Sequence, residues 1–517
     1  DFGLPSSEPA VVKERLTMML FLPSSPVLLT FLVLILTLVV KYLKKSTKTH
    51  GSRVPKLPPG PPKLPFIGNL HQLATAALPH RALRDLAEKH GPIMHLKLGE
   101  VTSIVISTPE VAEEVLKKHE LSFAQRPKLV AVDTAGYGYS GIFFSPYGDY
   151  WRQLRKIVTL ELLSTKQVRL FWSVRVEETW NLVESISSSS GHAINLTEEL
   201  SHFTNSIISR AAVGKKCKDV DEFIAVVREG SKLCGGFDMP DLFPSLPFLR
   251  LVTRMKPAVL ENLKARMDKV LDSIINEHLA KSTAGEESGE DDFIDVLLKL
   301  RGSDECPLTM TNIKAIILDI FGAGMDNPSA TLEWAMSEML RNPKVMAKAQ
   351  AEVRKTLKGK KNITEEDVHE FHYLNLVIKE TLRLHPPGPL LRREAREQCQ
   401  INGYDVPLKA QVIVNLWAIG RNKKQWPDAD CFRPERFQGS SITFQGNNFE
   451  FIPFGAGRRI CPGIAFAAAS IELSLALLLN KFDWNLPDGI KPEEFDMTER
   501  FGISVRKKNP LYAIPTR

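Results

Sequence analysis

Cysteine is scarce and scattered in this chain of 517 residues: there are six, at 217, 234, 306, 399, 431 and 461, with no close pair and no C-x-x-C. That excludes a disulfide framework and points to a reducing compartment. Excess charge is also small, +7 at neutral pH, and much of it lies in one short cluster, which argues against a nucleic-acid partner. No internal repeat is present, and after residue 66 no shift in composition marks a second domain. One large domain behind a separate N-terminal segment fits this length better than two domains.

What is present starts with a long apolar run. Leu16–Val40 holds no charged residue across 25 positions. As a helix it would cover roughly 37 Å, enough for a bilayer core of about 30 Å. We read 16–40 as a transmembrane anchor and 1–17 as an extension of unclear origin, to which no function is given. Lys41, Lys44, Lys45, Lys48, Arg53 and Lys56 follow; by the positive-inside rule they leave the rest of the chain in the cytosol, and they suit contact with anionic membrane lipid. The Pro23-Ser24-Ser25-Pro26 break shortens the run toward a signal peptide, but no small-residue cleavage site follows it. Pro55–Pro65 has too many fixed φ angles and too few N–H groups for helix or sheet, so 41–65 reads as a basic and Pro-rich linker that acts as a stiff spacer.

From Phe66 to the end, 66–517, most segments have helical period, with β-rich pieces at Ile93–Leu98 and Thr102–Ser107 around Gly99-Glu100, a hairpin. The expected fold class is mainly α with a small β region. Ser187–Ser190 and Ser282–Asp292 read as solvated loops. Asn195-Leu-Thr and Asn362-Ile-Thr match the glycosylation pattern, but a cytosolic position leaves them unmodified.

The chemistry concentrates in F-I-P-F-G-A-G-R-R-I-C-P-G, Phe451 to Gly463. Cys461 stands at the mouth of a strongly apolar helix beside Arg458 and Arg459, where dipole and charge favour the thiolate, the form that binds iron. Gly455, Gly457 and Gly463 let the loop turn tightly and lay N–H groups against the sulfur, and Pro462 opens the helix. Phe454 is placed to cover a flat macrocycle and Arg459 to neutralise a haem propionate. The plainer alternative is a buried structural cysteine after a Gly-rich turn.

The pattern Phe454-x-x-Gly457-x-Arg459-x-Cys461-x-Gly463 resembles the cysteine loop of the cytochromes P-450, the haem-thiolate monooxygenases. The resemblance implies the P-450 haem-thiolate fold behind an N-terminal membrane anchor in the endoplasmic reticulum. It implies haem b with Cys461 as axial ligand, and electrons from NADPH delivered by a separate flavoprotein reductase, with a cytochrome b-type protein as a second donor. Trp151 and Arg155 share one helix face. Alone, such a pair is mostly a half-buried surface contact; the resemblance assigns it to the haem propionates. In P-L-L-R-R-E, Pro389 to Glu394, relatives carry an extra residue and a Pro-Arg-Glu ending. Arg393 is the candidate for a further propionate contact and Arg392 is left unplaced. K-E-T-L-R-L-H-P-P and F-R-P-E-R-F resemble the family's buried network of Glu380, Arg383 and Arg436, a structural feature.

Ile313–Leu340 resembles the long helix that crosses above the haem, with Gly322, Ala323 and Gly324 small enough for a ligand to approach, although small residues more often mark close packing. Asp326 matches the family's acid, but the Thr that normally follows, whose hydroxyl helps deliver protons for O–O cleavage, is Asn327, and then comes Pro328. An amide donates a hydrogen bond but does not relay a proton as an alcohol does. Pro328 removes the N–H that would bond the Gly324 carbonyl and is expected to bend or open the helix. The reading is that Asp326 supplies protons through ordered water, positioned by Asn327. Tolerated drift with more peroxide leakage is the competing reading.

Similarity to plant microsomal members covers Phe66 to Pro515, especially those that oxidise terpenoids and terpene indole alkaloids. It implies an apolar small-molecule substrate against Leu318, Ala323, Leu390, Phe501 and Ile503, with further wall from Leu129 to Ile142 and from the Phe237 region. The expected function is monooxygenation of such a metabolite. The alternatives are coupling, desaturation or rearrangement without oxygen retention, or a catalytically weak haem protein serving as a scaffold.

Overall fold

The computed structural model describes residues 55–517 apart from 75–77, 217, 284–291, 302–307 and 361–362. The extension 1–17, the anchor 16–40, most of the basic linker, Cys217, Cys306, Asn362 and most of the acidic stretch lie outside the described residues. Leu57–Arg517 forms one compact unit.

The elements that position the site, in chain order, are β1 (Ile93–Leu98), β2 (Val101–Ile106), α1 (Asp149–Val158), α2 (Trp172–Ser187), α3 (Leu196–Val213), α4 (Val220–Leu233), α5 (Pro257–Thr283), α6 (Met310–Arg341), α7 (His372–Leu384), β3 (Leu390–Glu394), β4 (Gln411–Asn415), α8 (Ile464–Lys481), β5 (Glu499–Arg500) and β6 (Arg506–Lys507). Helices dominate and the strands are few and short, as the periodicity predicts.

The helices centre on α6. It packs against α3, α4, α5, α7 and α8, and every residue from Pro328 to Leu340 is buried. Its start is fixed by a capping box in which Asn312 N–H donates to Thr309 Oγ1 and Thr309 N–H donates to Asn312 Oδ1, at 3.2 and 2.8 Å. α6 does not open at Pro328 but continues as helix through it over its 32 residues. The reason is packing from α3. The Thr204 hydroxyl donates to the Met325 carbonyl at 3.1 Å, and Gly324 brings the backbone so close that a Cβ there would lie 2.8 Å from Ile208 Cγ1. Thr331 Oγ1 also donates to the Asn327 carbonyl at 2.9 Å. Among the described residues, α8 is the helix long and apolar enough to cross a membrane, but most of it is buried inside the protein. It is a core helix.

Four strands form one sheet in the order β1-β2-β4-β3, with β2 and β4 parallel and the other pairs antiparallel. The hairpin β1–β2 forms where expected, its second strand one residue early, and turns at Gly99 (φ +59°). Leu390 and Arg392 project from one face of β3 and Leu391 and Arg393 from the other, because side chains alternate along a strand.

Pro55–Lys63 is neither helix nor strand, yet it is not a free spacer. The Pro59 carbonyl accepts from His95 N–H at 2.8 Å, and Asn69 Nδ2 donates to the Pro61 and Pro62 carbonyls at 3.2 Å. A Cβ on Gly60 would fall 2.1 Å from the His95 oxygen. The segment is docked on β1, so the compact unit begins at Leu57, earlier than the 66 read from composition.

Candidate active site

The loop from Phe451 to Gly463 closes on itself. Cys461 N–H donates to the Phe454 carbonyl at 3.0 Å and Ile460 N–H to that of Gly457 at 2.9 Å. Gly457 has φ +70°, and a Cβ there would stand 1.9 Å from the Leu116 carbonyl oxygen, so no other residue fits. Gly463 is the N-cap of α8, and a Cβ on it would be 3.9 Å from Cys461 Sγ. Phe454 is half-buried, with its ring 5.4 Å from that of Phe444.

The charges around the sulfur differ from the sequence reading. Arg458 is exposed and pairs with Glu120 at 2.7 Å, and Arg459 turns away to backbone carbonyls. Arg155 is the cation that faces Cys461; its Nη1 donates to the Ile460 carbonyl at 2.6 Å. Burial pushes the Cys461 thiol up, against the opposing pull of the Gly463 N–H and Arg155. The expected thiolate bias at the helix mouth is therefore outweighed by desolvation, and a bound metal is what would deprotonate the thiol.

Behind this loop three guanidinium groups converge with no acid in direct contact. Arg459 donates to the carbonyls of Ala124 (2.7 Å), Ser145 (2.6 Å) and Phe143 (3.4 Å). Arg126 donates to the carbonyls of Phe143 (3.2 Å) and Arg392 (2.9 Å). Arg393 donates to the Arg392 carbonyl at 3.2 Å, and its Nη2 is buried with no partner. Among the described residues no carboxylate lies within 4 Å of any of the three. Burial is the first cause that lowers all three, Arg393 to about 9, Arg459 to about 10 and Arg126 well below its ordinary value; repulsion adds to it from Arg459 at Arg393, from Arg393 and Arg459 at Arg126 against the pull of Asp319, and from Arg155 and Arg396 at Arg459. Trp151 lies under Arg459, with the guanidinium carbon 4.6 Å from its ring, and its N–H donates to the Ile142 carbonyl at 2.9 Å. Trp151 and Arg155 do share a face, but here each donates to a backbone carbonyl.

The Ile142–Ser145 segment ties this cluster to α6, because Phe143 N–H donates to Asp319 Oδ2 at 2.9 Å. Further along α6, Asp326 is buried and held by Arg506 of β6 at 2.7 Å, with Ser329 Oγ 3.0 Å from the same nitrogen. The acid read as a proton source is thus committed to an ion pair. Asn327 points elsewhere: Nδ2 donates to the Ala323 carbonyl at 3.3 Å, and Oδ1 accepts from the Ser504 hydroxyl at 2.9 Å.

Leu390, Phe501 and Ile503 line one cavity, together with Leu129, Phe143, Phe144, Cys234, Pro389 and both Arg126 and Arg392. Leu318 and Ala323 are not among its walls: Leu318 packs against the main core, and Ala323 is exposed on α6. Away from the cavity, Glu380 receives Arg383 at 2.7 and 2.8 Å and Arg436 at 2.8 Å, all with buried side chains.

Comparison with known proteins decides the family. The cytochrome P450 family model matches residues 58–514. The chain belongs to the cytochrome P450 family. It is 53% identical to a melianol synthase of Ailanthus altissima over 96% of each chain. It is 52% identical to a desmethyl-deoxy-podophyllotoxin synthase of Sinopodophyllum hexandrum over 93% of this chain and 96% of the relative, and 50% identical to a premnaspirodiene oxygenase of Hyoscyamus muticus over 92% and 95%. A zebra fish cytochrome P450 solved with abiraterone shares the fold, with a TM-score of 0.71 at 24% identity over 85% of this chain and 99% of that one.

As a cytochrome P450 the protein is an NADPH- and O2-dependent haem-thiolate monooxygenase, with cysteine as the iron ligand and electrons arriving through a reductase. The residues present fit that cofactor. A buried cluster of three cations with no carboxylate in direct contact, one carrying an unpartnered donor, suits the two carboxylates of haem, and Cys461 beside Arg155 suits its iron. Arg126 was missed in the sequence reading. Its local signal is an arginine in the short stretch Phe123-Ala124-Gln125-Arg126-Pro127, which has no acid to pair with it.

Proposed function

We propose that this chain is a membrane-anchored cytochrome P450 of the endoplasmic reticulum that oxidises a plant terpenoid, with 16–40 as its single span and the catalytic domain on the cytosolic side. The observation that carries the substrate class is the cavity bounded by Leu129, Phe143, Leu390, Phe501 and Ile503 in a chain half identical over nearly all its length to a melianol synthase and a premnaspirodiene oxygenase. Apolar walls of that kind bind by area and shape, with a few polar groups setting orientation.

Haem would supply the activation of dioxygen with electrons passed from NADPH. Cys461 would hold its iron; Arg126, Arg393, Arg459, Trp151 and Arg155 would hold its carboxylates. The chain's own residues do the rest. Phe501 and Ile503 orient the substrate, and the Asn327–Ser504 bond fixes their turn against α6. In place of the family's threonine, the Ser504 hydroxyl and the Asn327 amide hold a proton at Ser504 Oγ, next to the small residues of α6. Asp326, paired with Arg506, acts by electrostatics and by positioning. Arg458, Lys117 and Arg152, paired with Glu120, Glu113 and Asp149, and Lys118 lie exposed on the Cys461 side, where the reductase would dock.

The absence of the threonine favours one second reading, oxidation without oxygen retention. Microsomes containing this protein and a plant reductase, given NADPH, labelled dioxygen and a panel of terpenes and terpene indole alkaloids, separate the two by mass spectrometry. The expected outcome is one labelled oxygen atom in a terpenoid product. A product that needs NADPH but carries no label moves the assignment to desaturation, coupling or rearrangement.

A further inference from the structure

Arg392 has no place in the site described so far. It shares a face of β3 with Leu390, opposite to Arg393, so it turns away from the guanidinium cluster and into the cavity wall. Its Nη1 donates to the Gly235 carbonyl at 3.0 Å and its Nη2 to Gln411 Oε1 at 2.5 Å, and its carbon lies 5.0 Å from the centre of the Phe237 ring. Phe237 in turn packs edge-on to Phe501 at 5.8 Å. Both acceptors are neutral. Nε is buried with no partner, and among the described residues no carboxylate lies within 4 Å of the group. Asp241 is the acid that acts on it from farther off; one of its oxygens accepts from Val130 N–H at 2.7 Å and the other has no partner. The surroundings are arranged for the side chain, since a Cβ on Gly236 (φ +75°) would collide with Nη1. Burial lowers the guanidinium to about 10, which leaves it charged at neutral pH.

Arg392 and Arg126 both line this cavity, and Asp241 acts on Arg392 only from beyond hydrogen-bond distance; a buried cation with no acid in direct contact costs stability unless something with an oxygen completes it. A charge-assisted hydrogen bond from a ligand oxygen is the natural completion, and it is stronger than a neutral one. We infer that Arg392 selects substrates that already carry an oxygen function, a carboxylate before an alcohol, and that the substrate is an oxygenated terpenoid rather than a hydrocarbon. The reaction that supplies this substrate is therefore an earlier oxidation or hydration of the skeleton. The inference rests on the terpenoid reading of this cavity.

The test uses the full-length, haem-loaded protein in detergent and equilibrium dialysis against three probes of one skeleton: abietadiene, abietadienol and abietic acid. Affinity is expected to rise along that series, with the acid bound about tenfold or more tighter than the hydrocarbon. Arg392→Leu is expected to abolish or reverse the order. Arg392→Gln, which can still donate to Gly235 but has no charge, is expected to lose the preference for the acid and keep part of that for the alcohol. Equal affinities in the unsubstituted protein overturn the inference, as does an order that survives Arg392→Leu. Loss of haem from both variants also overturns it, because Arg392 would then belong to the cofactor site. If none of the three probes binds, the terpenoid reading itself falls, and this inference with it.

Discussion

At the scale of the residue, Asn327 is the departure that the structure makes chemical sense of. The amide does not stand alone where a hydroxyl is usual: it accepts from the Ser504 hydroxyl and donates to the Ala323 carbonyl, so it joins α6 to the turn that carries Phe501 and Ile503. A partly buried hydrogen bond of this kind is worth about 1 kcal/mol, roughly fivefold in a rate or ratio. Ser504→Ala is accordingly expected to raise peroxide released per product several-fold and to broaden the product distribution, and Asn327→Thr, too short to hold Ser504, to shift both as well. Peroxide yield and product spectrum unchanged in both variants would remove the bridge from the mechanism. The same residues show what was legible. Arg383 three residues after Glu380, or Cys461 within its glycines, reads directly because helix and turn geometry bring near neighbours together. The partner of Asp326 is Arg506, and Arg126 meets Phe143, Arg392 and Arg459. Such partners are set by chain topology, which residue spacing does not encode.

Elements show a conflict between local preference and packing. A proline inside a helix removes one hydrogen bond and crowds the carbonyl four residues back, so by local rules Pro328 is expected to bend or open the helix. The helix persists because its second half is buried on all sides and α3 presses against it at Gly324. Tertiary packing, not propensity, holds most helices together. Gly324→Ala measures that contact. By propensity alone the change should stabilise an α-helix by roughly 0.5–1 kcal/mol. The new Cβ, however, would meet Ile208 Cγ1 at 2.8 Å, and overpacking of that kind costs about 1–3 kcal/mol. Overpacking should win: Gly324→Ala is expected to be less stable by about 1 kcal/mol in denaturant unfolding, and Ile208→Ala is expected to be partly rescued by it. A Gly324→Ala protein as stable as its parent would mean that α3 yields and that the continuity of α6 has another cause. The Pro-rich segment gave the opposite result. Its lack of regular structure was readable from φ restriction, but its docking on β1 depends on the bare Gly60 meeting His95 across the chain, which composition does not reveal.

For the whole molecule, attachment to the membrane is the property that a run of apolar residues alone leaves incomplete. Among the large apolar side chains exposed in the unit Leu57–Arg517, five lie in two short segments: Leu64 and Phe66 at 48% and 43%, and Phe248, Leu251 and Val252 at 52%, 63% and 70%. Both segments adjoin the turn of the β1–β2 hairpin. Gly99 N–H donates to the Ile67 carbonyl at 3.2 Å, Glu100 N–H to that of Leu242 at 2.8 Å, and Ser245 N–H to the Glu100 carboxylate at 2.9 Å. One face of the domain thus carries a clustered apolar surface of the kind that seeks a partner or a bilayer. If that face is the membrane side, 16–40 is not the sole attachment. A chain of residues 57–517, shown to be folded by its haem absorbance, is then expected to co-sediment with phosphatidylcholine vesicles. Leu251→Glu with Val252→Glu is expected to weaken that partition by more than about 100-fold, since each buried aliphatic side chain is worth about 1.5–3 kcal/mol. If the shortened chain stays entirely in the supernatant, the exposed side chains face water and attachment falls to the apolar run alone. If it sediments and the double substitution changes nothing, the contact lies on another face of the domain.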